Sequence, residues 1–465
     1  MSVSTSDPDF RVRRRRAILS AWAGFAVDSY SIYIVSSVLL PALVYFQGDI
    51  SAEGKAIFAG LTLATTLLGR PLGGIIFGHF ADKIGRARVG SVTIYGFGTI
   101  SLLIACLPGA ELIGAVPAMG LLLFLRFVEG IFLGGEYTAA TPMALEYAPP
   151  ARRGLVGAVI QCSASGGPLL VAAAMAVVLL IAPSGDINSP YVQWGWRLPF
   201  VLGFVMSFVI AWFLRRKVEE STIQQEVRAQ EGEHTTSALR RVLKGKSGRA
   251  FVQAWVIMTG IFFTVNLTGS VLNQFLLGNE GFTPADLANT QLIVSVFGMA
   301  SYIVAGFFSD KIGRKNVLFI VMGASLVCYP ILISVIGSNV GFGWGTLTLL
   351  AIGIHILNAA PLGVLPAYIN ERFATSVRST GWGVAYSTAV IIPAFFSYYM
   401  VWLSALVPFA WTAGILAVLG AVIVLAATAA GPETKGIDLR VAGTDDDQAP
   451  AGGTVGSEPS VASGT

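Results

Sequence analysis

Five ionisable side chains, Asp28, Arg70, Arg126, Glu129 and Glu136, sit inside long apolar runs. A charge held in hydrocarbon costs several kcal/mol, so such residues mark routes for protons, ions or charged solutes. A carboxylate there takes up or releases a proton as its surroundings change. An arginine offers a planar fork that matches a carboxylate with two parallel hydrogen bonds. At helical spacing Glu129 and Glu136 share one face, and Arg126 stands one turn before Glu129, so a pair within the helix is available. His355 is the one histidine deep in an apolar run, with Asn358 a turn away, and Asn266, Ser270 and Asn273 fall on one helical face. Such polar faces either line a cavity or bind helices to one another.

The elements that must position these groups follow from composition. Of 465 residues 54% are hydrophobic and only 12% charged, too apolar for a soluble globular chain. The charges crowd into short polar segments, a distribution that excludes a nucleic-acid partner. An apolar run of about 20 residues crosses a bilayer as a helix, because hydrocarbon offers the backbone no partner outside its own segment. Twelve are expected, over 17–46, 55–80, 89–107, 117–147, 154–182, 197–214, 250–278, 284–309, 316–337, 343–370, 379–407 and 409–430. The basic start, Arg11 and Arg13 to Arg16, resembles the head of a signal peptide, but the apolar part after it is twice as long as such peptides use and contains Asp28, so it reads as a retained first span. With both termini placed in the cytoplasm, inside segments hold 26 of the 30 Lys and Arg residues.

The chain repeats itself. FADKIGR at 80–86 returns as FSDKIGR at 308–314, and the pair Glu146 and Arg153 returns as Glu371 and Arg378. The expected organisation is therefore a cytoplasmic tail (1–16), a six-helix bundle (17–214), a charged cytoplasmic linker (215–249), a second bundle (250–430) and a disordered cytoplasmic tail (431–465) rich in Gly, Ser, Ala and Pro. Gly78 allows close helix approach, Asp82 can accept hydrogen bonds from the positive end of a neighbouring helix, and Lys83 and Arg86 can pair with acids across the seam between halves. Gly85 belongs to the same loop, with Gly306, Asp310, Gly313 and Arg314 as second-half counterparts; bonds of this kind, broken and remade, are a gate. Glu146, Arg153, Glu371 and Arg378 extend the network.

Two six-span halves carrying Gly-x-x-x-Asp-(Arg/Lys)-x-Gly-(Arg/Lys)-(Arg/Lys) in these loops resemble the major facilitator superfamily, and PETKG at 432–436 resembles its sugar and metabolite branches. GRPLGGIIFGHFADKIGR (69–86), LGGEYTAATPMALEYAPPARRG (133–154), WGWRLPF (194–200) and NERFATSVRSTG (370–381) are similar to its metabolite:proton symporter group, whose members carry organic acids, proline or betaine. The chain departs at Ala87, where the loop pattern has a second basic residue, and at Ser31, where that group usually has a second acid after the one at Asp28. The resemblance implies an all-α membrane protein of twelve transmembrane helices in two pseudo-symmetric six-helix bundles. It also implies that Arg126 faces Asp28. Counted from Pro117 and Pro41, about 9 and 13 residues give depths of roughly 14 and 20 Å, a gap an arginine can bridge.

On that reading Asp28, Arg126, Glu129 and Glu136 are proton-coupling residues, and Arg70, left as the unpaired cation, reads a substrate carboxylate with Asn266, Asn273, His355 and Asn358. Other classes fall away. Gly245-Lys246-Ser247 lacks the leading glycine of a phosphate loop, since position 240 is Arg; His355 has no nucleophile beside it; and Cys106, Cys162 and Cys328 have neither disulfide nor zinc spacing. No cofactor and no metal are expected. The expected function is secondary active transport of a small organic metabolite, a carboxylate, by alternating access with proton symport in the cell membrane, working as a monomer. The alternatives are a sugar or polyol porter, a betaine-like zwitterion porter, or a non-transporting receptor on the same scaffold.

Overall fold

The structure is a computed structural model that describes residues 8–48, 52–84, 86–136, 145, 148–217, 241–373 and 377–437. Among them are twelve helices long and apolar enough to cross a membrane. Spans one to six are Ala21–Ala42, Gly60–Phe77, Arg88–Ala105, Ala115–Gly135, Pro150–Ile181 and Tyr191–Phe213. Spans seven to twelve are Gly245–Leu277, Pro284–Ile312, Arg314–Gly337, Trp344–Asn370, Thr380–Ser404 and Phe409–Ala430. Each apolar run read from the sequence overlaps one of them, with span six opening at Tyr191 rather than at 197 and span seven at Gly245 rather than at 250. Most of the expected linker, 218–240, and of the expected tail, 438–465, lies outside the described residues, as does the start of the first tail, 1–7.

The fold is two six-helix bundles. In the first, spans two and four, three and six, and one and five pack together; in the second, eight and ten, nine and twelve, and seven and eleven repeat the pattern. Between the bundles span five lies on spans eight and ten, and span eleven on span two. Spans one and seven each pass through a short π segment, Val35–Leu39 and Leu267–Val271, at corresponding places in the repeat. A π turn shifts the backbone hydrogen-bond register and re-aims the side chains that follow.

Lipid tails are as apolar as leucine, so helices associate in a membrane through close packing and hydrogen bonds rather than through burial from water. Glycines supply that closeness between spans two and four. A Cβ at Gly69 would strike the carbonyl oxygen of Phe127, at Gly73 that of Ile131, at Gly130 that of Thr66 and at Gly134 that of Arg70. The two backbones touch, and Arg70 is thereby fixed beside Arg126 and Glu129. The second bundle repeats the device, with Gly363 of span ten against the Tyr302 carbonyl of span eight.

Far from the linker, spans one and six are pinned by polar tips on aromatic bodies. The Tyr30 hydroxyl donates to the Pro199 carbonyl at 2.6 Å, and the Tyr191 hydroxyl to the Val38 carbonyl at 2.7 Å. Arg197 lies over the rings of Tyr45 and Trp196, at 4.8 and 4.5 Å from their centroids, and donates to the Tyr45 hydroxyl and the Leu107 carbonyl. This is what the WGWRLPF string does: it ties the far ends of spans one, three and six.

Replacing Gly130 by leucine drives a side chain into the Thr66 carbonyl and should cost about 3 kcal/mol or more. Gly120→Leu on the same span, where a Cβ meets nothing within 4 Å, should be near neutral. Melting curves of the two detergent-purified variants check this; equal melting temperatures would contradict the packing.

Candidate functional site

Four charged residues from spans one, two and four gather in the core of the first bundle: Asp28, Arg70, Arg126 and Glu129, each at most 3% exposed. Arg70 Nη2 donates to both oxygens of Asp28, at 2.6 and 2.8 Å. Arg126 Nη1 bonds Glu129 Oε2 one turn along its own helix, and Arg126 Nη2 donates to the Ser31 carbonyl at 3.1 Å. Glu129 Oε1 is buried without a hydrogen-bond partner. The two pairs are near enough that Arg126 senses the charge of Arg70, and Glu129 that of Asp28.

This corrects the expected pairing. Asp28 takes Arg70 rather than Arg126, so Arg70 is not the uncommitted cation of the site. Depth gives the reason. Arg70 reaches the Asp28 carboxylate itself, whereas Arg126 meets span one a turn farther out, at the Ser31 carbonyl. Pairing within span four then satisfies Arg126. The Glu136 side chain lies outside the described residues.

The polar residues of the second half have partners of their own. Asn266 Nδ2 donates to the Pro393 carbonyl of span eleven at 3.0 Å, and Gln291 of span eight donates to Asn273 Oδ1 at 2.6 Å. His355 Nδ1 bonds the Ala351 carbonyl of its own helix at 3.0 Å. These contacts tie span seven to spans eight and eleven and hold His355 to its own helix. Asn358, 7% exposed, has a buried Oδ1 without a hydrogen-bond partner.

Sequence reasoning passed over what lies between the bundles. Tyr33 of span one, Tyr302 of span eight and Tyr386 of span eleven lie close to one another, with Ser165 of span five beside Tyr302. Tyr386 stacks edge-on against Phe262 at 4.9 Å and lies 5.7 Å from Trp382. Tyrosine in an apolar run was the available signal: its hydroxyl needs a partner wherever the ring is buried.

At the linker end the bundles are locked. Asp310 accepts hydrogen bonds from the backbone N–H groups of Gly154 and Leu155, both at 2.9 Å, at the N-terminus of the helix that opens span five. A carboxylate there meets unsatisfied N–H donors and the positive end of the helix dipole. Gly306 and Gly154 permit the approach, since a Cβ on Gly306 would overlap Ala158. Arg314 donates to Asp310 at 2.7 Å and to Glu371 at 3.3 and 3.4 Å, and Arg153 reaches Glu371 from the other bundle at 3.3 Å. Arg378 donates to the carbonyls of Asn370 and Phe373, closing the turn after span ten. Gly313 takes a φ of 102°, which favours glycine, at the turn between spans eight and nine. In the first half Gly85 and Glu146, and the side-chain surroundings of Gly78, Asp82, Lys83 and Arg86, lie outside the described residues.

A strap missed by the sequence reading completes the lock. Residues 431–437, expected to open a disordered tail, fold under spans nine and ten. Glu433 accepts from the backbone N–H groups of Arg314 and Lys315, at 2.9 and 3.0 Å, capping span nine. Thr434 donates to Glu371 at 2.7 Å, and Arg153 donates to the Ile437 carbonyl at 3.1 Å. Burial alone would raise the Glu433 carboxyl, but backbone N–H donors from Arg314, Lys435, Lys315 and Thr434 outweigh it and hold the group below the usual carboxylate range. Since the folded value is below the unfolded one, this stabilisation is fully present above about pH 4.3 and is lost as pH falls through the folded value. Wild type should therefore melt above Glu433→Gln at neutral pH, and the gap should close on acidification. A gap independent of pH would show that the carboxylate charge is not what holds the strap.

The Major Facilitator Superfamily model matches residues 21–372. The alpha-ketoglutarate permease of Escherichia coli K12 is 33% identical over 384 residues, covering 81% of this chain and 84% of that protein. The proline/betaine transporter of the same strain is 27% identical over 397 residues, covering 81% and 75%. Among solved structures, the proton:xylose symporter bound to a bromodeoxyglucose superposes with a TM-score of 0.69 at 19% identity, covering 92% of this chain and 98% of that one. With a buried charge cluster in the first bundle, an interlocked linker end and this match over most of its length, the chain belongs to the Major Facilitator Superfamily and is a membrane-embedded transporter of metabolites.

Proposed function

We propose that the chain carries a carboxylate-bearing metabolite together with a proton, and that the Asp28–Arg70 pair couples the two. The pair itself supports this reading: a carboxylate and an arginine, both buried, are bonded through one guanidinium nitrogen to both carboxylate oxygens. A proton on Asp28 removes its charge and releases the Arg70 fork. A substrate carboxylate then takes the place of Asp28 on the guanidinium, and the site keeps the same net charge before and after. Proton and anion bind together because neither is well held without the other: an unpaired buried Arg70 and a protonated Asp28 without substrate are both costly. Alpha-ketoglutarate, proline and betaine, named in the two relatives, share a carboxylate.

The linker-end lock is the inner gate in this reading, with both termini and the linker on the cytoplasmic side, as the Lys and Arg bias indicates. Asp82, the repeat partner of Asp310, belongs to the same proposed gate. Opening inward breaks the Asp310, Glu371 and Arg153 bonds and reseals the far side.

Asp28→Asn should lose uphill accumulation while keeping substrate exchange in proteoliposomes. A variant that still concentrates substrate with proton influx would move the role to Glu129 or Glu136. Arg70→Lys should raise the apparent KM for a carboxylate substrate by about one to two orders of magnitude, on the scale of roughly 1.5–3 kcal/mol for a hydrogen bond to a charged group. An uptake screen over organic acids, betaines and sugars, with and without a pH gradient, tests the substrate class; transport restricted to uncharged sugars would refute the carboxylate reading.

A further inference from the structure

A second feature lies away from the transport pathway. A cavity of about 700 Å³ opens at the linker end of the second bundle, between the start of span seven, the end of span twelve and the turn after span ten. Its walls divide by chemistry. Val252, Val256 and Ala427 continue into the spans and are apolar, and Leu243 borders them. Arg249 and Arg372 stand at the linker-end rim, and no carboxylate is among the lining residues. Val252 is 57% exposed and Leu243 54%, so the apolar wall faces outward rather than into the bundle.

The two arginines are uncommitted among the described residues. Neither takes part in a described ion pair, and Arg372 Nε is buried without a hydrogen-bond partner. The nearby acids are already engaged: Glu371 by Arg153, Arg314 and Thr434, and Glu433 by the backbone of span nine. The α-helix of span seven begins at Gly245, after Lys244, with no side-chain cap, so its first N–H groups add donors at the same rim. Lys244 and Lys246 add positive charge beside it.

We propose that this groove binds one anionic phospholipid from the leaflet on the linker side, its phosphate on Arg249 and Arg372 and an acyl chain along Val252, Val256 and Ala427. Charge complementarity selects the headgroup, because two cations without acids want an anion and the fork of arginine fits phosphate oxygens. The apolar wall selects a lipid over a free anion. A dissolved phosphate leaves that wall uncovered, whereas an acyl chain continues it into the bilayer. Basic residues beside a membrane surface draw anionic lipids in the same way.

The test uses the full-length protein purified in detergent and titrated with phosphatidylglycerol, with phosphatidylcholine of the same acyl chains, and with inorganic phosphate. Retention of lipid is read by native mass spectrometry and stabilisation by melting temperature. The expected result is one retained phosphatidylglycerol per chain and a rise in melting temperature that neither of the other two additions gives. Arg249→Gln with Arg372→Gln should weaken lipid binding by about fivefold per arginine removed. Arg152→Gln, an exposed charge on the same end of the molecule but away from the groove, should bind as wild type. Should the double variant fail to fold, Arg249→Glu alone, at an exposed position, is expected to abolish retention. Equal stabilisation by phosphatidylcholine would show an apolar groove without headgroup selection, full stabilisation by inorganic phosphate would show an anion site, and unchanged retention in the arginine variants would place the lipid elsewhere. Each of these overturns the proposal.

Discussion

A charge buried in hydrocarbon has to be answered from within the protein, and that constraint organises the first bundle. Asp28 and Arg70 answer one another across spans one and two. Removing one partner of such a pair costs about 3–5 kcal/mol, because the other is left uncompensated, so their relative placement is held by everything around them. The glycine seam between spans two and four brings the Arg70 backbone against Gly134 and sets Arg126 and Glu129 beside the pair. Tyr30 and Tyr191 hold span one at the far end, where its π segment begins to turn the chain. Packing here serves to place charges.

At the linker end the two bundles engage through hydrogen bonds and ion pairs at helix ends. Asp310 binds two backbone N–H groups at a helix start, and Glu371 gathers Arg153, Arg314 and Thr434. The bonds are numerous and directional, and Arg153, Arg314 and Glu371 are each at most 3% exposed, so losing one partner leaves a buried charge unanswered here as in the core. The strap at 431–437 joins Glu371 and the start of span nine to the end of span twelve.

Between these two regions the interface is aromatic. Tyr33, Tyr302 and Tyr386 present hydroxyls from three spans and two bundles, and Phe262 and Trp382 back them with apolar surface. Aromatic faces also accept cationic groups.

Much of this was legible in the chain itself. Twelve apolar runs fix twelve spans because hydrocarbon leaves the backbone no other choice, and the returning FADKIGR and FSDKIGR strings disclose two like halves. The few charges inside the spans identified the residues of the cluster. Which charge meets which was decided by tertiary structure. The sequence reading paired Arg126 with Asp28, and the packing of spans one, two and four paired Asp28 with Arg70 and left Arg126 to Glu129. Asn266 and Asn273 share a face, and only the tertiary structure brings Pro393 and Gln291 to meet them across it. The tyrosines between the bundles and the strap on Glu371 were out of reach for the same reason: both are made of residues far apart in sequence, and periodicity along one helix says nothing of what another helix brings to it.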